Sequence, residues 1–167
     1  MCNTQSGTSQ RFTNLGVPER VWAISAVHGE LDKMTRLHDA LLTRFEPGDR
    51  IVYLGNYTGY NAEGVATIDE ILAFRRMILS VPGVLPEDFV YLRGQQEEML
   101  DKLLQLQFAP NPAGVLDWML NNGLRETLAS YGISIEEGRA CTREGIMATT
   151  RWTNRVRQRI KAHPGHD

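Results

Sequence analysis

Gly48-Asp49-Arg50-Ile51-Val52-Tyr53-Leu54-Gly55-Asn56 decides the architecture of this chain. Pro47-Gly48-Asp49 is a turn signal, and Ile51 to Leu54 form a continuous apolar run closed by a glycine, which is the pattern of a short buried strand. The same pattern stands upstream at Val21-Trp22-Ala23-Ile24, broken by Gly29, and downstream at Phe89-Val90-Tyr91-Leu92. Between the first two runs, residues 31–45 place Leu31, Met34, Leu37, Leu41, Leu42 and Phe45 at helical spacing. Between the second and third, residues 63–80 carry Val65, Ile68, Leu72 and Leu79 on one face, before Pro82-Gly83. Strand, helix, strand, helix, strand in this order implies parallel pairing with right-handed crossovers, hence an α/β fold.

Past the third strand the pattern turns helical. A helix is expected over residues 96–107 with Met99, Leu103 and Leu106 inward, shorter ones over 112–121 and 124–130, and a basic one over 150–162. Met77, Met99, Met119 and Leu120 read as core. The first 19 residues, rich in Ser, Thr, Gln and Asn, read as a poorly ordered arm, which leaves one domain over residues 20–167.

Composition excludes several classes. With 42% hydrophobic and 23% charged residues and a net charge of −2, the chain is an ordinary globular one, with no global attraction to nucleic acid or an anionic membrane. It contains no apolar run long enough for a membrane span and no secretory leader pattern. Cys2 and Cys141 stand far apart with no signal for pairing, so a reducing cytoplasm is the expected location.

Ligand sites in open parallel sheets lie beyond the carboxyl ends of the strands. Three loops fall there: Ser25-Ala26-Val27-His28-Gly29, Gly55-Asn56-Tyr57-Thr58-Gly59-Tyr60-Asn61, and Arg93-Gly94-Gln95-Gln96-Glu97.

With these loops and their flanks, the chain resembles the calcineurin-like metallophosphoesterases, which carry Asp-x-His-Gly, Gly-Asp-x-x-Asp-Arg-Gly and Gly-Asn-His-Glu at these places. The shared frame is His28-Gly29-Glu30-Leu31, the run from Gly48 to Gly55, and Leu92-Arg93-Gly94. Further on, Trp118-Met119-Leu120-Asn121-Asn122-Gly123, Thr127-Leu128 and Ser130-Tyr131-Gly132 are similar to bacterial members related to Ser/Thr protein phosphatases and dinucleoside tetraphosphatases. The resemblance implies the parallel βαβαβ half of that family's sandwich, followed by a helical region. It also implies that the second half, with its histidine ligands, would follow the segment ending at Asp167.

Such enzymes hold two divalent ions, such as Mn, Fe or Zn, about 3.5–4 Å apart to activate water and clamp phosphate. Placed residue by residue, the family's first Asp falls on Ala26, which has no ligand atom, and its His on His28. The bridging Asp falls on Asn56, the loop-three Asn on Gln95, and the neighbouring catalytic His on Gln96, which has no proton to give at a useful pKa. The second Asp and the phosphate-gripping Arg fall on Gly59 and Tyr60. Without the bridging charge, a cation pair would lack compensation. The resemblance therefore implies no metal cofactor and no catalytic residue, but a degenerate relative.

Other residues have plainer readings. His28 is expected to hold its loop through backbone hydrogen bonds, and His38 to be a partly exposed surface residue. Glu97 and Glu98 suit the start of a helix. Gln95 and Gln96 could hydrogen-bond each other or Asn56, forming a polar plug. Tyr57, Tyr60 and Asn61 suit either contact with a partner or an ordinary exposed loop. His163 and His166, near the end of the sequence, are expected to be solvated. The cations Arg151, Arg155, Arg157, Arg159 and Lys161 around Trp152 read as a solvated helix face. The function expected is that of a protein-binding or structural subunit, joined to another protein or to itself through an uncovered sheet edge. The alternative is a weak or altered metal-dependent phosphoesterase acting on phosphoproteins or dinucleoside polyphosphates.

Overall fold

A computed structural model describes residues 14–166, the side chain of His166 excepted. Most of the expected arm over residues 1–19, and Cys2 with it, lies outside the described residues. Three short strands, β1 (Val21–Ile24), β2 (Arg50–Tyr53) and β3 (Phe89–Tyr91), form a parallel sheet in the order β1-β2-β3. Ala23 pairs with Val52, and Val52 with Val90. Helices α1 (Leu31–Leu42) and α2 (Gly64–Leu79) make the two crossovers. The strand order steps the same way twice, so right-handed connections place both helices on one face of the sheet.

That face is a packed core. Ile24, Ile51, Tyr53 and Phe89 from the strands meet Met34 and Leu41 of α1 and Ile71, Phe74 and Ile78 of α2. The stripe of α1 is Met34, His38 and Leu41, one helical turn apart, while Leu37 and Leu42 are exposed. His38 is therefore not the surface residue expected from its sequence: it is 1% exposed and stacks on Phe74 at 3.9 Å between ring centroids. Met77 also departs from expectation, since it faces solvent at the end of α2.

The opposite face is exposed at its rim and buried at its centre. Alternation along the strands turns Val21, Ala23, Val52 and Val90 to that side, with Leu54 and Leu92 following just beyond the strand ends. Val21 and Leu54 are each 46% exposed and Leu92 42%, while Val52 and Val90 between them are buried, at 8% and 7%, although they belong to neither core cluster. Parallel sheets are ordinarily covered on both faces, because their strands are apolar on both. Here β1 and β3 are also both edge strands.

Beyond β3 the chain builds a second core from α3 (Gln95–Leu103), α4 (Pro112–Met119), α5 (Arg125–Ser130), α6 (Ile135–Glu144) and α7 (Ile146–Lys161). Leu103, Leu116, Leu124, Leu128 and Trp152 are at most 1% exposed there. Each such side chain contributes about 1.5–3 kcal/mol on burial. Between α4 and α5, residues Leu120–Leu124 form a wide turn in which Gly123 takes φ 100°. Helix α6 lies outside the sequence expectation, and α7 is longer than expected. Trp152, Val156 and Ile160 of α7 point inward, so the basic segment is half core, and its Arg151, Arg155, Arg159 and Lys161 remain exposed.

Tyr57 packs against both clusters. The tail returns onto α2, where His163 meets the Tyr131 ring edge-on and its Nε2 lies 3.1 Å from Asp69 Oδ1. His163 is thus docked rather than solvated. Among the described residues no helix is long and apolar enough to cross a membrane.

Candidate functional site

The three loops do converge at the carboxyl end of the sheet, and they are sewn together mostly by backbone. Val27 and His28 donate their N–H groups to the Asn56 carbonyl at 3.1 and 2.8 Å, and Gly29 donates to Tyr57 O at 2.9 Å. Loops two and three touch at glycines. A Cβ on Gly55 would lie 2.2 Å from the Gly94 nitrogen, and one on Gly94 would lie 2.5 Å from Asn56 Oδ1. Side chains at those positions would force the loops apart.

Glu97 is the centre of this knot. Its carboxylate accepts from Asn56 N–H at 2.7 Å, Tyr57 N–H at 3.0 Å and Gly94 N–H at 2.7 Å. One acid at the start of α3 thus caps its own helix and anchors the loop after β2. Sequence reading assigned it the first role only. The second depends on Asn56 lying 41 residues away, a contact that no local pattern announces.

The loop positions that the resemblance picks out behave differently from one another. Asn56 takes φ 57°, and its Oδ1 accepts the Gln96 backbone N–H at 2.9 Å, so Asn56 is tied to loop three by main chain, while Gln95 stays exposed and the Gln96 amide turns elsewhere. Gln96 is 3% exposed. It is clamped where Gly59 and Gly123 leave room, its Nε2 donates to Asn122 O at 2.9 Å, and its Oε1 is buried without an acceptor's partner. Ala26 is exposed and offers no donor atom.

His28 keeps its loop by main chain rather than by its ring. Its carbonyl accepts from Asn61 Nδ2 at 3.0 Å, while the ring meets Tyr60 edge-on at 5.1 Å and leaves Nδ1 buried and unpaired. His28, Asn56 and Tyr60 all adopt positive φ without being glycine. Strain of about 1–3 kcal/mol per such residue persists only where surroundings enforce it, and it gathers at ligand sites and tight loop junctions.

Tyr57 closes the cluster by donating its hydroxyl to Leu92 O at 2.8 Å. Burial raises its pKa, so the hydroxyl stays protonated as a donor. A hollow of about 350 Å³ lies behind loop one, lined by Ala26, His28, Glu30, Lys33 and Met34. Among the described residues, no three His, Cys, Asp or Glu side chains gather as a cation-binding group. The chain matches no family model, no curated protein and no solved structure significantly.

Proposed function

We propose that this chain is a catalytically degenerate relative of the calcineurin-like metallophosphoesterases that serves as a protein-binding subunit, engaging a partner through the exposed apolar rim of its sheet. The observation that carries the reading is that face: Val21, Ala23, Leu54 and Leu92 stand exposed as an apolar rim around the buried Val52 and Val90. An apolar patch bordered by two open strand edges suits a second sheet or an amphipathic helix, either from another protein or from a second copy.

The loop chemistry supports the non-catalytic half of the reading. A pair of divalent cations needs charged oxygens between them. Ala26 supplies no ligand atom, the Asn56 side-chain oxygen Oδ1 is engaged by Gln96 N–H, and the Glu97 carboxylate is engaged by three N–H groups. Gly59 and Tyr60 offer no cation to hold a phosphate. The residues present do not fit a two-metal centre, and no catalytic step is assigned to them.

One observation favours the alternative, a weak metal-dependent phosphoesterase: His28 Nδ1 and Gln96 Oε1 are both buried lone-pair atoms without protein partners. Metal analysis of the purified protein, with hydrolysis of a generic aryl phosphate in manganese, separates the two. The degenerate reading expects neither stoichiometric metal nor turnover. Turnover that disappears in His28→Ala would reverse it. The binding half is tested by the association state of the wild type against a Leu54→Asp/Leu92→Asp variant, and by capture of a partner that the variant no longer retains.

A further inference from the structure

On the seam between the two cores lies a cleft of about 420 Å³, floored by Tyr57 and Tyr91 and roofed by Pro164-Gly165. One wall is a single face of α2, where Ile68, Ile71, Leu72 and Arg75 follow at i, i+3, i+4 and i+7. The roof is fixed in place: Gly165 sits so close to Ile68 that a Cβ there would meet Ile68 Cγ2 at 2.4 Å, and His163 holds the segment to Asp69. The volume falls in the usual range for small-molecule sites.

Arg75 is the feature the fold leaves unexplained. It is half-buried, its guanidinium lies 5.9 Å over the Phe89 ring, and its Nε is buried without a hydrogen-bond acceptor. Among the described residues no carboxylate forms an ion pair with it, whereas Arg20, Arg50, Arg93, Arg139 and Arg155 each have one. A half-buried guanidinium with no counter-charge beside it attracts an anion, and its planar fork suits a carboxylate bound through two oxygens. The Tyr91 hydroxyl, with its pKa pushed up to about 12 by burial, stays protonated beside it as a further donor.

We propose that this cleft binds a small organic monocarboxylate with an aromatic or branched apolar body, its carboxylate on Arg75 and its body against Ile68, Leu72 and the two tyrosine rings. A monoanion matches the one cation present. A phosphate dianion would leave uncompensated charge against an apolar wall. The site shares Tyr57 with the loop cluster, but it draws on neither metal chemistry there nor the exposed rim of the sheet, so it stands or falls independently of the function proposed above.

Titration of the isotope-labelled full chain, followed by amide chemical shifts, tests it. Phenylacetate and isovalerate, taken to about 10 mM, a range that registers millimolar affinity, are compared with phenylacetamide and inorganic phosphate. The carboxylates are expected to shift amides around Leu72, Arg75, Tyr91 and Gly165, with the neutral amide and phosphate at least about tenfold weaker. Arg75→Met, which keeps the length and removes the charge, is expected to weaken the carboxylates at least about tenfold. Equal binding of phenylacetate and phenylacetamide, shifts elsewhere or none, or unchanged affinity in Arg75→Met overturns the proposal. The carboxylate-to-amide contrast on the wild type decides the matter alone if Arg75→Met fails to fold.

Discussion

His38 Nδ1 lies 2.7 Å from Glu70 Oε1, joining α1 to α2 inside the core. The carboxylate can only accept, so Nδ1 carries the proton, and Nε2 accepts from the Tyr53 hydroxyl at 2.9 Å. The imidazole is thereby satisfied while neutral. Burial lowers the His38 pKa below its ordinary value, and the hydrogen bond and charge of Glu70 only partly oppose that.

The consequence for stability has a definite sign. Near pH 6 the unfolded chain binds a proton at this residue that the folded chain resists, so stability rises with pH across that window. The His38 contribution is complete above about pH 6.5 and is lost as pH falls from there toward the folded pKa. Denaturation midpoints measured from pH 7.5 down to pH 5 should fall, and His38→Gln should flatten that part of the profile while lowering stability throughout. A slope unchanged in His38→Gln would show that another group is responsible.

Glu97 should be the most consequential acid of the loop cluster. Glu97→Gln removes the charge from three hydrogen bonds and places an amide NH₂ where a donor already points. A loss of about 2–3 kcal/mol in urea unfolding is expected, from the usual worth of hydrogen bonds to a charged group. Its neighbour Glu98, paired only with the exposed Arg93 at 3.2 Å, supplies the contrast: Glu98→Gln should change stability by less than about 0.5 kcal/mol.

The glycine contact between loops two and three should tolerate no side chain. Gly55→Ala would place its Cβ against backbone at 2.2 Å, at φ 89°, and neither neighbour is a flexible side-chain tip. A loss of at least about 3 kcal/mol, or failure to fold, is expected. Gly132 also has positive φ but nothing within 4 Å of an added Cβ, so Gly132→Ala should cost only about 1–2 kcal/mol of conformational strain. Similar losses for the two would mean that close approach is not what requires Gly55.

Charges on the exposed rim of the sheet should act on association and not on folding. Leu54 and Leu92 are exposed and lie beyond the ladder, so Leu54→Asp/Leu92→Asp should leave the unfolding midpoint within about 0.5 kcal/mol of wild type. The same variant should remain smaller in sedimentation at concentrations where the wild type self-associates or stays bound to a partner. Identical sedimentation together with undiminished partner capture would remove the face from the interaction.

The parallel sheet was legible because each strand is a short apolar run fenced by turn residues, and the alternation with helical stripes left one sensible pairing. The convergence of the three loops followed from that topology. What escaped is what depends on distant partners. His38 reads as a surface residue until Glu70 and Tyr53 close around it, and Glu97 reads as a helix cap until Asn56 and Tyr57 arrive from another loop. Helix α6 was missed because its face is polar and small, although Ser134 and Glu137 spell a capping signal that the structure uses, with Ser134 Oγ accepting the Glu137 N–H at 3.2 Å. Met77 stands at helical spacing from apolar neighbours and so reads as core, yet the phase of α2 turns it out.

Tyr57, in contact with both cores, also bears on how the molecule comes apart. With one cluster around the sheet and another around Trp152, the two halves can lose order at different denaturant concentrations, and only the residues along their seam oppose this. A molecule lodged beside Tyr57 and Arg75 would rest on both halves at once. It would act as a rivet, merging two partial transitions into one cooperative event.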